Sequence, residues 1–182
     1  MNEPERSTSD LRDRVVIITG GTRGIGLGVA QHLGGLGTRI VITGRRAERL
    51  AESTAALEAS GVDCIGLLAD VADRDRAFEV VDEALTRYGR LDGLVLNAQS
   101  FRPVTPLVDV TEADMDLLFD TGPKGALWLM QAAHPHMAAR RWGRMVTMGT
   151  SMGLTGAPGY GPYAASNEAI RSLTRTAARE WG

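Results

Sequence analysis

Cysteine occurs once in the 182 residues, at Cys64, so an intramolecular disulfide is excluded. The apolar neighbours Ile65, Leu67 and Leu68 point to a buried thiol rather than a reactive one, in a reducing compartment. Excess charge of one sign is also lacking. With 20 basic and 22 acidic residues the net charge is −2, which gives no electrostatic case for nucleic acid or an anionic membrane as partner. No apolar run approaches the ~20 residues that cross a bilayer. Residues 1–13 are polar and mixed in charge, without the apolar core of a secretory signal. Of the three histidines, His134 and His136 stand two apart and face different ways on a helix, so no metal site is expected. These absences leave a cytoplasmic chain of ordinary globular composition, 43% apolar and 23% charged. A flexible tail over 1–13 and one domain over 14–182 are expected.

What the chain does contain is 22 glycines, several of them crowded behind one apolar run. Val15-Val16-Ile17-Ile18-Thr19 breaks into Gly20, Gly21, Gly24 and Gly26 just before an amphipathic stretch, the outline of a strand, a tight turn and a helix. Such a turn lets backbone N–H groups and a helix N-terminus meet a pyrophosphate. The pattern then repeats. Strands are predicted near 14–19, 39–43, 63–68, 92–96 and 144–149, and helices over 24–36, 46–59, 73–88, 111–138 and 161–181. Thr111 with Asp114 three residues on, and Asp73, read as helix starts. Strands such as Leu94-Val95-Leu96, apolar on both faces, require a parallel sheet covered by helices on either side. The expected fold is a doubly wound α/β Rossmann sheet in three α/β/α layers.

Thr19-Gly20-Gly21-Thr22-Arg23-Gly24-Ile25-Gly26, Asp70-Val71, Asn97-Ala98 and Tyr163-Ala164-Ala165-Ser166 occur together in this order. From about Arg14 onward the chain resembles the short-chain dehydrogenase/reductase family, with its TGxxxGxG turn, its adenine contact, the start of its NAG motif and the start of its YxxxK motif. The resemblance implies cofactor-binding roles for Gly20, Thr22, Arg23, Gly24, Ile25, Gly26, Asp70, Val71, Asn97 and Ala98. It also implies hydride transfer between a nicotinamide and a small-molecule carbonyl or alcohol.

Charge after the second strand bears on which nicotinamide. A carboxylate there binds the 2′-hydroxyl of NAD, whereas a guanidinium attracts the 2′-phosphate of NADP. This chain has Thr43-Gly44-Arg45-Arg46. Arg45 and Arg23 resemble the NADP-preferring members, so NADP(H) is expected over NAD(H). The alternative is that Arg45 and Arg46 are simply solvated first-turn residues.

The family's reaction uses a tyrosine, a serine, a lysine and an asparagine, and here the match is uneven. Tyr163 is present as the proton donor. The lysine position, four residues on, is Asn167. An ammonium about 4 Å from a phenolate is worth on the order of several kcal/mol at a protein-like dielectric, and asparagine supplies no such field. Activity should therefore lean toward reduction, and Asn167 is expected to keep hydrogen bonds to the cofactor ribose. Counting back thirteen residues from Tyr163 gives Thr150 for the serine, with Ser151 beside it as a weaker candidate on the opposite strand face. Thr150 also reads as a plain strand-end hydroxyl bonded to backbone. The asparagine position is Gly122, followed by Pro123, so the long helix should kink or break there. Gln99 replaces the family's glycine after Asn97-Ala98, adding bulk near the expected nicotinamide ribose.

Relatives continue past the helix that ends at Trp181 into further strands and a substrate lid, so the resemblance implies a chain incomplete at its C-terminus. Two readings follow. One is an NADPH-dependent reductase of a ketone or aldehyde. The other is a catalytically degenerate relative that binds NADP(H) or serves as a structural subunit of an active partner. The helices 111–138 and 161–181 resemble those through which the family forms dimers and tetramers, so a homo-oligomer, or a hetero-oligomer with an active relative, is expected.

Overall fold

A computed structural model describes residues 11–101 and 104–182. Five strands, β1 (Val15–Ile18), β2 (Arg39–Gly44), β3 (Cys64–Leu68), β4 (Gly93–Leu96) and β5 (Arg144–Thr147), form one parallel sheet in the order β3-β2-β1-β4-β5. The order reverses between β1 and β4, which opens a crevice at the carboxyl ends of the central strands. β1 and β4 are buried along their whole length, as their unbroken apolar runs require.

Helices cover both faces: α1 (Gly24–Gly35), α2 (Ala47–Ala59), α3 (Arg74–Tyr88), α4 (Glu112–Phe119), α5 (Gly125–Ala139), the short α6 (Met152–Thr155) and α7 (Gly161–Trp181). One core gathers Ile17, Leu94, Val80, Leu129 and Met130 between the sheet and α3, α5 and α7. The other gathers Ile18, Ile40, Ile42, Leu50 and Leu57 beneath α1 and α2. The helix starts follow local chemistry. Asp73 accepts from the Arg76 amide at 3.1 Å, and Thr111 and Asp114 form a reciprocal capping box.

Three expectations need correction. Residues 11–13, read with the tail, are tied to the body: the Asp13 amide donates to Gly37 O, Thr38 Oγ1 donates to Leu11 O, and Arg39 pairs with Asp13 at 2.9 Å. The rest of that tail lies outside the described residues. The helix expected over 111–138, with a kink or break at Gly122-Pro123, is interrupted at that place, but by a π-helical turn, Asp120–Lys124, that joins α4 to α5. The widened turn takes in Pro123, which has no N–H to give, while Thr121, Gly122 and Pro123 are all buried. Finally, β5 ends at Thr147, so strand alternation does not govern how Thr150 and Ser151 point.

At the amino end of the sheet, Asp92 holds three strands together. Its carboxylate accepts from the Val15 amide, Arg14 and Arg90 at 3.0, 3.1 and 2.6 Å, and its backbone carbonyl accepts from the Arg144 amide. Burial works to raise the Asp92 pKa, but Arg90, the Val15 amide and Arg14 outweigh it and hold the carboxyl below its usual range. Cys64 is buried, and burial pushes its thiol up to about 11, with Glu58 and Asp63 adding to the effect. A thiol so shifted is a poor nucleophile at neutral pH.

Candidate active site

The turn after β1 is built from close approaches. Gly20 has φ +65°, a left-handed conformation open to glycine, and a Cβ on Gly26 would collide with Gly20 O and Asn97 Nδ2. The Asn97 side chain donates to Thr19 O at 3.0 Å and to Gly20 O at 3.3 Å. Thr19 Oγ1, fully buried, accepts from the Asn97 and Ala98 amides at 3.0 and 2.9 Å. The turn after β1 and the loop after β4 are therefore one hydrogen-bonded unit. Asn97 acts here chiefly as a brace within the protein.

A groove of about 340 Å³ opens above this unit at the carboxyl ends of β1, β2, β3 and β4, within the range of about 300–1,000 Å³ that small-molecule and cofactor sites occupy. Gly20, Thr22, Arg23, Gly24, Ile25, Arg45, Val71, Asn97 and Ala98 line it, so these expected residues come together from four loops. Gly26 lies just beneath, against the Gly20 carbonyl. Asp70 does not line the groove; its Oδ2 stands 3.6 Å from Arg45 Nη1 beside it. The first turn of α1 carries no acid, and its cap residue Arg23 makes no side-chain hydrogen bond. Free N–H groups and the positive helix end therefore face the groove. Arg23, Arg45, Arg46 and Arg49 are all in the lining, and among the described residues no carboxylate is. Such a wall suits an extended ligand with several phosphates. Arg49 escaped the sequence reading; its signal is the three-residue step from Arg46 along the start of α2.

The expected catalytic positions lie outside that lining. Tyr163, in the first turn of α7, packs its ring edge-on against Phe101, with centroids 5.3 Å apart, and borders a small apolar pocket with Leu118, Tyr160 and Pro162. Thr150 Oγ1 accepts from the Met152 amide at 3.2 Å, as the plain backbone-bonding reading expects, yet this leaves its own O–H to donate. The Thr150 carbonyl accepts from Arg171 Nη2 at 2.9 Å. Ser151 is exposed at the start of α6, its carbonyl bonded to the Leu154 and Thr155 amides.

Asn167 differs most from expectation. It is 2% exposed, and its amide donates to Gln99 Oε1 at 3.0 Å and to Tyr163 O at 2.9 Å. Both donors are spent inside the protein, which leaves none for the ribose. Gly122 sits under the same Gln99 carboxamide. His134 of α5 is stacked on the ring of Trp181 at the end of α7, with centroids 4.3 Å apart. Among the described residues, no helix is long and apolar enough to cross a membrane.

Comparison with known proteins places this geometry. The family described as short chain dehydrogenase matches residues 14–182. The chain is 38% identical over 166 residues to an oxidoreductase, asL5, of Sarocladium schorii, covering 91% of this chain and 65% of that protein. It spans 64% of gluconate 5-dehydrogenase from Gluconobacter oxydans, so it covers about two thirds of the curated relatives it matches. A metagenomic short-chain oxidoreductase in complex with NADP superposes with a TM-score of 0.89 at 30% identity, covering 96% of this chain and 78% of that one. An NAD+-bound xylitol dehydrogenase superposes at 0.90 with 27% identity, covering 94% and 66%.

Proposed function

Since the chain belongs to the short-chain dehydrogenase family, we propose that it binds NADP(H) in the groove and reduces a ketone or aldehyde. Residues 14–182 are its dinucleotide-binding domain. The observation that carries the reading is the groove wall, with four arginines, a free helix N-terminus and, among the described residues, no lining carboxylate. Gly20, Gly24 and the α1 amides would take the pyrophosphate, and Arg23 and Arg45 the 2′-phosphate. Bound there, the nicotinamide supplies the two electrons of the reduction.

The chain's own part is proton delivery and orientation. The Tyr163 hydroxyl gives a proton to the substrate oxygen, and the Thr150 O–H donates a second hydrogen bond to the same oxygen. Asn167 is uncharged and bonded to Gln99, so position 167 supplies no positive charge to assist proton removal from an alcohol, and reduction is the favoured direction. The test is NADPH consumption with a panel of ketones and aldehydes. Turnover that Tyr163→Phe abolishes supports the reading, and turnover that survives it removes Tyr163 from the role.

The second reading, a degenerate relative that binds nucleotide or supports an active partner, draws on the same Asn167. Its donors are spent on Gln99 and Tyr163, and Gly122 offers no side chain. Nucleotide binding without turnover on the whole panel favours it. In either case we place the protein in the cytoplasm, as an oligomer assembled through α4, α5 and α7.

A further inference from the structure

Building on Tyr163 as proton donor, we propose that Gln99 is a positioning residue whose carboxamide, clamped by Ser166 and Asn167 above Gly122, fixes the turn of α7 that carries Tyr163. The bonds form a closed ring. Gln99 Nε2 donates to Ser166 Oγ at 2.6 Å, and Ser166 Oγ donates to Tyr163 O at 2.9 Å. Asn167 Nδ2 donates to the same Tyr163 carbonyl at 2.9 Å and to Gln99 Oε1 at 3.0 Å, which completes the circuit. Ser166 is 0% and Asn167 2% exposed, so their ends of these bonds are shielded from water, while Gln99 is half-buried.

Gly122 supplies the room. A Cβ there would stand 2.8 Å from Gln99 Nε2 and 3.4 Å from its Cδ. The amide is the end of a flexible chain, but moving it breaks the bonds to Ser166 and Asn167. Gln99, Gly122 and Asn167 are therefore one mutually fitted unit, and the large side chain at 99 explains the absent side chain at 122. Because Gln99 also lines the groove, one residue is both groove wall and support for Tyr163.

The test is fluorine NMR of the full chain labelled with 3-fluorotyrosine, whose three tyrosines are Tyr88, Tyr160 and Tyr163. Tyr163→Phe assigns the Tyr163 line. Gln99→Ala and Ser166→Ala should each shift or split that line while the line of Tyr88, bonded to Asp63 far from the ring, stays in place. Thermal unfolding supplies a second arm: Gly122→Ala should lower the Tm by about 3–8 °C in the native background and by far less beside Gln99→Ala. Should Gln99→Ala not fold, Gln99→Met keeps the bulk without the bonds. An unmoved Tyr163 line in the folded variants, or an equal Tm loss in both backgrounds, overturns the proposal. Neither arm uses nucleotide or turnover, so a failed reductase assay stays separable from a failed ring.

Discussion

Arg45 Nη1 stands 3.6 Å from Asp70 Oδ2, joining the loop after β2 to the loop after β3 beside the groove. The side chains are 56% and 45% exposed, so the pair contributes under about 1 kcal/mol, and a phosphate dianion competes with Asp70 for the guanidinium. Asp70→Asn is expected to raise the ratio of NADPH to NADH affinity by about threefold. Calorimetric titration with both nucleotides reads it.

The close approach at Gly26 gives a sharper outcome. A methyl group there meets the Gly20 carbonyl and the pinned Asn97 amide, so the turn must open. Gly26→Ala is expected to weaken binding of both nucleotides by about tenfold or more while the far-ultraviolet circular dichroism stays native.

Asp92 sets an acid limit on stability. Its folded pKa lies below the ordinary value, so its contribution is fully present above the unfolded value of about 3.9 and is lost as pH falls toward the folded one. Asp92→Asn should cost about 3 kcal/mol at pH 7, because it removes the buried carboxylate that accepts from Arg90, Arg14 and the Val15 amide. Urea unfolding of both proteins against pH should give a constant gap at pH 5–7 that narrows below about pH 4.

Restoring the family's lysine alone should fail. Asn167→Lys puts an ammonium into a 2% exposed site beside a fixed carboxamide, at a desolvation cost, and Gly122→Asn meets Gln99. Each single change should lower the Tm without raising turnover. Gln99→Gly, Gly122→Asn and Asn167→Lys combined should raise it by about tenfold or more, read as NADPH consumption.

How far the sequence reaches depends on whether the information is local. The strands were readable to within two residues because apolar β-branched runs mark them, and Thr111 and Asp73 mark helix starts because a cap needs only its own first turn. The place of the π-helical turn was readable from Gly122 and Pro123, but its form was not. Pro123 locally signals a break, and only the tertiary burial of Thr121, Gly122 and Pro123 keeps the helix going. The turn glycines were legible as a motif, while the partners of Gln99 lie 67 and 68 residues away, beyond any local pattern. For that reason Asn167, read toward the ribose, was found facing Gln99 instead.

Selection of the 2′-phosphorylated nucleotide by the groove is read by calorimetric titration of the native chain and Arg45→Ala with NADPH and NADH. NADPH is expected to bind about tenfold or more tighter than NADH, with the difference largely lost in Arg45→Ala. A folded chain that binds neither nucleotide, or binds both equally with and without Arg45, contradicts it.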